Sequence, residues 1–184
     1  ISVVLRCPDD GLSGLGVAAS IGAERRTAAT ACTISICGNM AFVGTSRGGV
    51  HCFNVQSGRV RRTFHRPSRS GASAKAGAKA KSKKAAHGSA VTGVKCGGLN
   101  RLLFTSAVDG RLRVWRIATG ACIATIVVGC DAQQMAGADA EEGFALGSGS
   151  AAAVGVSQIA LHRSSSLLAA ACDDLVVRVW DCSV

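Results

Sequence analysis

An all-β fold, assembled from repeats of one four-stranded unit, is predicted by three features of the 184-residue sequence. The first is Thr105 to Ile126, TSAVDGRLRVWRIATGACIATI, where the turn dipeptide Asp109-Gly110 leads into Leu112, Val114 and Trp115, with Arg111, Arg113 and Arg116 at the intervening or flanking polar positions. A second turn, Ala118-Thr119-Gly120, leads into Ala121 to Ile126, and β-rich runs on either side of tight turns mark successive hairpins. The second feature is recurrence. A shift of 62 residues lays Gly48 on Gly110, Phe53 on Trp115, Val55 on Ile117 and Gly58 on Gly120. A shift of 65 in the other direction lays Asp174, Val177, Arg178, Val179 and Trp180 on Asp109, Leu112, Arg113, Val114 and Trp115. The third is that the stretches between units are almost devoid of large apolar residues, so strand patterning is confined to the repeats.

Taken in order, residues 1–30 open with the strand-like Ile1 to Leu5 and become rich in Gly and Ala, the remnant of a preceding unit or a connector. The first clear unit, 31–64, has an alternating first strand (Cys32 to Ile36), a turn at Cys37-Gly38-Asn39, a buried second strand (Met40 to Gly44), a turn at Arg47-Gly48-Gly49, a third strand (Val50 to Val55) and a fourth (Arg59 to Phe64). Residues 65–86, HRPSRSGASAKAGAKAKSKKAA, cannot bury enough apolar surface to order themselves and are predicted to form a disordered basic loop. The second unit, 87–128, starts at His87-Gly88 and has strands over Val91 to Cys96 and Leu102 to Thr105, followed by the two hairpin strands above. Residues 129–153, with Asp131, Asp139, Glu141 and Glu142 in a Gly/Ala/Ser background, form a second predicted loop. The third unit, 154–184, has strands over Ile159 to His162 and Leu167 to Cys172 and ends at Trp180-Asp181, where its last strand is still to come; the chain reads as a piece of a longer protein.

Charge and cysteines narrow the function. The net charge of +10 sits in one place: Arg59, Arg61, Arg62, Arg66, Arg69, Lys75, Lys79, Lys81, Lys83 and Lys84 occur without a carboxylate among them, and the rest of the chain is balanced. Such a segment can neutralise phosphates, serve as a nuclear-import cluster (Lys79 to Lys84) or simply be solvated; five contacts on single-stranded RNA would give a log–log salt slope of roughly −3.5. The nine cysteines include no Cys-x-x-Cys pair and no ordered Cys/His ladder, so they read as small buried hydrophobes of a reducing compartment rather than disulfide or zinc ligands. No apolar run approaches a membrane span, which predicts a soluble chain. There is no nucleophile with a base and no paired carboxylates: His51, His65 and His162 are isolated, Asp173-Asp174 is turn chemistry, and Gly48-Gly49 and Gly97-Gly98 open no helix. Neither an enzyme, a cofactor, a metal site nor a small-molecule substrate is expected.

A four-stranded unit closing on an aromatic and then an Asp-like residue (Phe53-Asn54, Trp115-Arg116, Trp180-Asp181) resembles the WD repeat, whose blades, roughly 40–45 residues each, assemble in sets of four to eight into a β-propeller. The resemblance implies about three to four blades of a larger WD40 β-propeller, with two low-complexity loop insertions. It also implies a structural hydrogen-bond network within each blade. His87, Thr105 or Ser106, Asp109 and Trp115 resemble the complete set in the second blade; the third keeps Asp174 and Trp180 without the His, and the first has Arg47 where the Asp would stand. More narrowly, Ile36 to Gly44 with Phe53 to Gly58, Gly98 to Leu102, and Leu161-His162-Arg163 with Asp173-Asp174 resemble the U-three-snoRNA-associated, tandem-propeller subunit family of the UTP-B subcomplex of the small-subunit processome, including the departure that puts Leu175 after Asp174 where most repeats have Gly. That resemblance covers residues 28 to 182 apart from the two insertions. It implies a non-catalytic nucleolar scaffold that meets other WD-repeat propeller subunits and, through the basic loop, pre-rRNA or snoRNA, without a membrane. The alternative is a generic WD-repeat adaptor: a ubiquitin-ligase substrate receptor or a trafficking or signalling scaffold.

Overall fold

The computed structural model describes residues 27–66, 84–97, 99–129, 153–162 and 167–182, which form three antiparallel sheets and no closed barrel. The first sheet takes β1 (Ala29–Ile34), β2 (Met40–Thr45), β3 (Val50–Asn54) and β4 (Val60–Phe64) in chain order. The second takes β5 (Val91–Gly97), β6 (Leu102–Ala107), β7 (Arg111–Arg116) and β8 (Cys122–Val127). The third has three strands among the described residues, β9 (Val156–Leu161), β10 (Leu167–Cys172) and β11 (Val177–Asp181). The fold is all-β, a few blades of the repeating kind rather than a full ring. β1 packs beside β5 and β5 beside β9, so the sheets stack face to face with their first strands adjacent.

Period-2 alternation explains the stacking. Leu103 and Trp115 turn one face of the second sheet towards Phe42, Val50 and Phe64 of the first, and the Phe64 ring meets Trp115 edge-on at 5.6 Å. Phe104, Leu112 and Val114 turn the other face towards Val156, Ile159, Leu168 and Ala170 of the third. The second sheet therefore has two apolar faces and shares a core with each neighbour, while Ala41, Val43 and Phe53 form a separate small cluster on the other face of the first sheet. Close approach demands glycine at Gly93, where a Cβ would stand 2.5 Å from Ile159 Cγ1 and 2.7 Å from Ser106 Oγ.

The strands differ from the sequence reading at their edges. β1 stops at Ile34 rather than Ile36 because buried Ser35 turns the chain: its backbone N–H donates to the Met40 carbonyl at 2.8 Å, and its Oγ accepts from the Met40 N–H at 3.0 Å. β9 begins three residues earlier than expected, at Val156. The first strand of every sheet carries a bulge that leaves one hydroxyl residue outside the ladder: Thr30, Thr92 and Ser157. Thr30 Oγ1 donates to the Val91 carbonyl of the next sheet at 2.6 Å, Thr92 pairs with Ser106 at 3.0 Å, and Ser157 Oγ donates to Asp173 at 2.5 Å.

The cysteines are not uniformly core residues. Cys52 and Cys172 are buried and Cys96, Cys122 and Cys182 half-buried, but Cys32 and Cys37 are exposed, since the alternation of β1 turns Cys32 outward and Cys37 sits in the β1–β2 turn. All seven are free thiols; Cys7 and Cys130 lie outside the described residues.

Candidate functional site

The turn between β6 and β7 positions a chain of buried polar groups. Val108 and Asp109 form the turn, and Gly110 completes it at φ 70°, a left-handed conformation suited to glycine. Trp115 Nε1–H can only donate, and it does so to Thr105 Oγ1 at 2.8 Å. The Thr105 hydroxyl proton is then committed to His87 Nε2 at 2.7 Å, which places the imidazole proton on Nδ1, facing Asp109 Oδ1 at 3.4 Å. Asp109 also accepts the Gly88 N–H at 2.9 Å and the Arg111 N–H at 3.1 Å. Every member therefore has one consistent proton assignment, from indole to carboxylate. Since Thr105 and Trp115 are fully buried, leaving either hydroxyl or indole without this partner would cost its full desolvation.

Sequence parity could not choose between Thr105 and Ser106. The structure uses Thr105; Ser106 faces the other way and pairs with Thr92. Arg113, assigned by sequence to a polar position, is 2% exposed, and its guanidinium donates to the Ala86 carbonyl. The available signal was the alternation 111, 113, 115: Arg113 stands on the Trp115 face, directly opposite Thr105.

Desolvation raises the Asp109 pKa, but the hydrogen bond and charge of His87, the Gly88 N–H and the Arg113 guanidinium together outweigh it and hold the carboxyl at about 2. Burial dominates at His87 and pushes it below its ordinary value in spite of Asp109. The imidazole is thus neutral at physiological pH. With its side chain fully buried and its Nε2 taken by Thr105, His87 cannot reach a substrate; the His–Asp pair is a structural clasp, not a general acid/base.

The other blades depart from this pattern. In the third sheet Asp174 makes a two-pronged ion pair with Arg178 at 3.0 and 2.7 Å, on the surface, and Trp180 is half-buried against the core shared with the second sheet. In the first, Thr45 Oγ1 caps the β2–β3 turn through the Gly49 N–H at 2.9 Å, and buried His51 pairs with Thr63 at 3.0 Å.

The basic residues divide into three groups. Arg59, Arg61 and Lys84 are exposed. Arg62 instead ties the first sheet to the second, donating to the Ala118 carbonyl at 2.8 Å and to the Thr119 carbonyl, while Arg66 is half-buried. Arg69, Lys75, Lys79, Lys81 and Lys83 lie outside the described residues. At the end of the predicted loop, Ala86 is fully buried in the core between the first two sheets, so the ordered second blade begins before His87. Among the described residues no cluster of His, Cys, Asp or Glu could hold a metal ion, and no helix is long and apolar enough to cross a membrane.

Residues 80–116 and 146–181 match the family described as WD domain, G-beta repeat, and these stretches contain the turns of Asp109 and Asp174 and the residues Trp115 and Trp180. By that match these two stretches are WD40 repeats. They are a non-catalytic interaction fold. Over 148 residues, 80% of the chain, it is 28% identical to U3 small nucleolar RNA-associated protein 21 homolog of Schizosaccharomyces pombe. It is 29% identical over 153 residues, 83% of the chain, to WD repeat-containing protein 36 of Homo sapiens, and 28% identical over 148 residues to U3 small nucleolar RNA-associated protein 21 of Saccharomyces cerevisiae. These matches span only 11–12% of each relative's own length.

Proposed function

We propose that the chain is part of a non-catalytic WD-repeat scaffold of the small-subunit processome, acting in the nucleolus to support pre-rRNA processing and assembly of the small ribosomal subunit. The observation that carries this reading is the similarity, over four-fifths of the chain, to two U3 small nucleolar RNA-associated proteins. The physical organisation fits the role. The repeats are held by two apolar inter-sheet cores and a buried polar clasp, so they present rigid edges and turns to partners. Seven of the ten residues that carry the charge excess lie in an insertion between β4 and β5, where they can neutralise RNA phosphates without entering a core. In this reading the blades meet other WD-repeat propeller subunits, and Arg69, Lys75, Lys79, Lys81 and Lys83, with exposed Arg59, Arg61 and Lys84, contact pre-rRNA or snoRNA; Arg62 serves the fold. The test is depletion of the full-length protein in cells, followed by hybridisation to the small-subunit rRNA precursor. Accumulation of uncleaved precursor and loss of free small subunits is the expected result; normal processing after complete depletion would overturn the reading.

A further inference from the structure

The ends of β1, β5 and β9 converge, together with the β5–β6 and β7–β8 turns, around an open groove of about 1070 Å³. Its apolar surface is unusually wet. Ile34, Ile36 and Leu99 are 63%, 54% and 81% exposed, and Leu161 and Ile123 line the groove between the second and third sheets. Apolar side chains gathered on one surface and rimmed by polar groups mark an interaction site. Leu99 adds a second, independent observation: it is held at φ 51°, a left-handed conformation that costs a non-glycine residue about 1–2 kcal/mol. The adjoining Asn100, at φ 66°, accepts the Ile36 N–H at 2.8 Å and so fixes the tip against the first sheet. The fold thus holds an apolar side chain out in water at the expense of backbone strain, the pattern of a ligand clamp.

The charged side chains in the groove lining are all basic. Lys95, Arg101 and Arg116 line it, and Arg101 and Arg116 are exposed. Asp109, Asp173 and Asp174 belong to turns at the opposite ends of the strands, and Asp181, at the groove end of β11, lies outside the lining although its charge adds to burial in raising the thiol pKa of the lining residue Cys182. The single aromatic residue in the lining, Phe104, is 3% exposed and offers no face for a nucleobase to stack on. We propose that this groove binds an acidic peptide segment with aliphatic anchors, contributed by a protein partner. The anchors sit on Ile34, Ile36 and Leu99, and the carboxylates meet Lys95, Arg101 and Arg116. The site is separate from the basic loop and does not depend on the ribosome-assembly reading; any scaffold built on these blades would carry it.

The test is selection of random phage-displayed peptides on the immobilised full chain, then affinity measurement of the winners by fluorescence anisotropy. Enriched peptides should be net acidic with at least two aliphatic residues. The pair Arg101→Glu and Arg116→Glu should weaken them about tenfold, since two surface attractions become repulsions. Leu99→Ser should weaken them through a different contact, and Lys79→Glu with Lys83→Glu should leave them unchanged. All substituted residues in the groove are exposed, and unaltered circular dichroism checks the fold. Failure to enrich acidic peptides would overturn the proposal. So would equal binding to the Arg101/Arg116 variant, loss of binding in the loop variant, or tighter groove-dependent binding of an oligouridine than of any selected peptide.

Discussion

Replacing Asp109 with Ala removes the terminal acceptor of the buried polar chain. Three donors lose their partner: His87 Nδ1–H at 3.4 Å, the Gly88 N–H at 2.9 Å and the Arg111 N–H at 3.1 Å. A hydrogen bond to a charged acceptor contributes about 1.5–3 kcal/mol, but the bond to His87 is long and Gly88 is exposed, so water recovers part of the loss. The imidazole is fully buried and cannot be rehydrated. The expected destabilisation is about 2–4 kcal/mol, which at an m-value of about 2 kcal/mol/M lowers the urea midpoint by about 1–2 M. Trp115 fluorescence, followed in a Trp180→Phe background, reports on the transition because its indole belongs to the network. Thr105→Val, which keeps the volume and deletes the hydroxyl between His87 and Trp115, should cost about 1–3 kcal/mol, and the double substitution should cost less than the sum. A loss below about 0.5 kcal/mol for Asp109→Ala, the range of an ordinary surface change, would refute the clasp.

Other outcomes follow from the same geometry. His87 is held below its ordinary pKa, so the unfolded chain protonates first and stability falls as pH drops below about 6.5; Asp109, at about 2 against 3.8, adds a further loss of about 1–2 kcal/mol between those two values, which Asp109→Ala should abolish in acid titrations of the urea midpoint. Gly93→Ala forces a Cβ to within 2.5 Å of Ile159 Cγ1 and should cost about 1–3 kcal/mol in thermal or urea unfolding, a cost that should shrink in an Ile159→Ala background, which lacks that atom. Leu175 stands at φ 63° and 97% exposed, so Leu175→Gly relieves about 1–2 kcal/mol of strain against about 0.5–1 of added chain entropy; a net gain of about 0.5–1 kcal/mol is expected from the same measurement. Deleting residues 69–83, which spares buried Ala86, should leave the urea midpoint unchanged and reduce RNA recovered with the protein.

The repeat was legible because it rests on local chemistry. Gly48 and Gly110 take the left-handed turn positions in successive sheets, and Leu175 takes the third, so the recurrence of turn residues reported a recurrence of backbone geometry. The alternating apolar runs likewise named the strands, since each sheet packs at least one face against a neighbour. What lay beyond reach depended on contacts between units. Whether Thr105 or Ser106 serves the clasp is a matter of which face β6 turns to His87, and the burial of Arg113, a polar position in the sequence, is hidden because nothing local shows that Ala86 folds back over it. Arg62 shared its composition with the basic loop, yet its partners are carbonyls of the next blade. The bulge residues Thr30, Thr92 and Ser157 recur at the same 62- and 65-residue spacings as the turns, and that signal was present in the sequence. The exposed Cys32 and Cys37 show the limit of composition alone: a small apolar side chain is not by itself a buried one.

The central claim, that these blades scaffold a ribosome-precursor particle, is tested most directly by affinity purification of the tagged full-length protein from cells, washed in low and then high salt, with proteins read by mass spectrometry and RNA by sequencing. Other WD-repeat subunits recovered together with U3 and pre-rRNA, and retained in high salt, are the predicted result, because contacts between folded surfaces resist the screening that removes loose charge pairing. Recovery of ubiquitin-ligase, coat or signalling components without those RNAs would contradict the claim while leaving the blades as described.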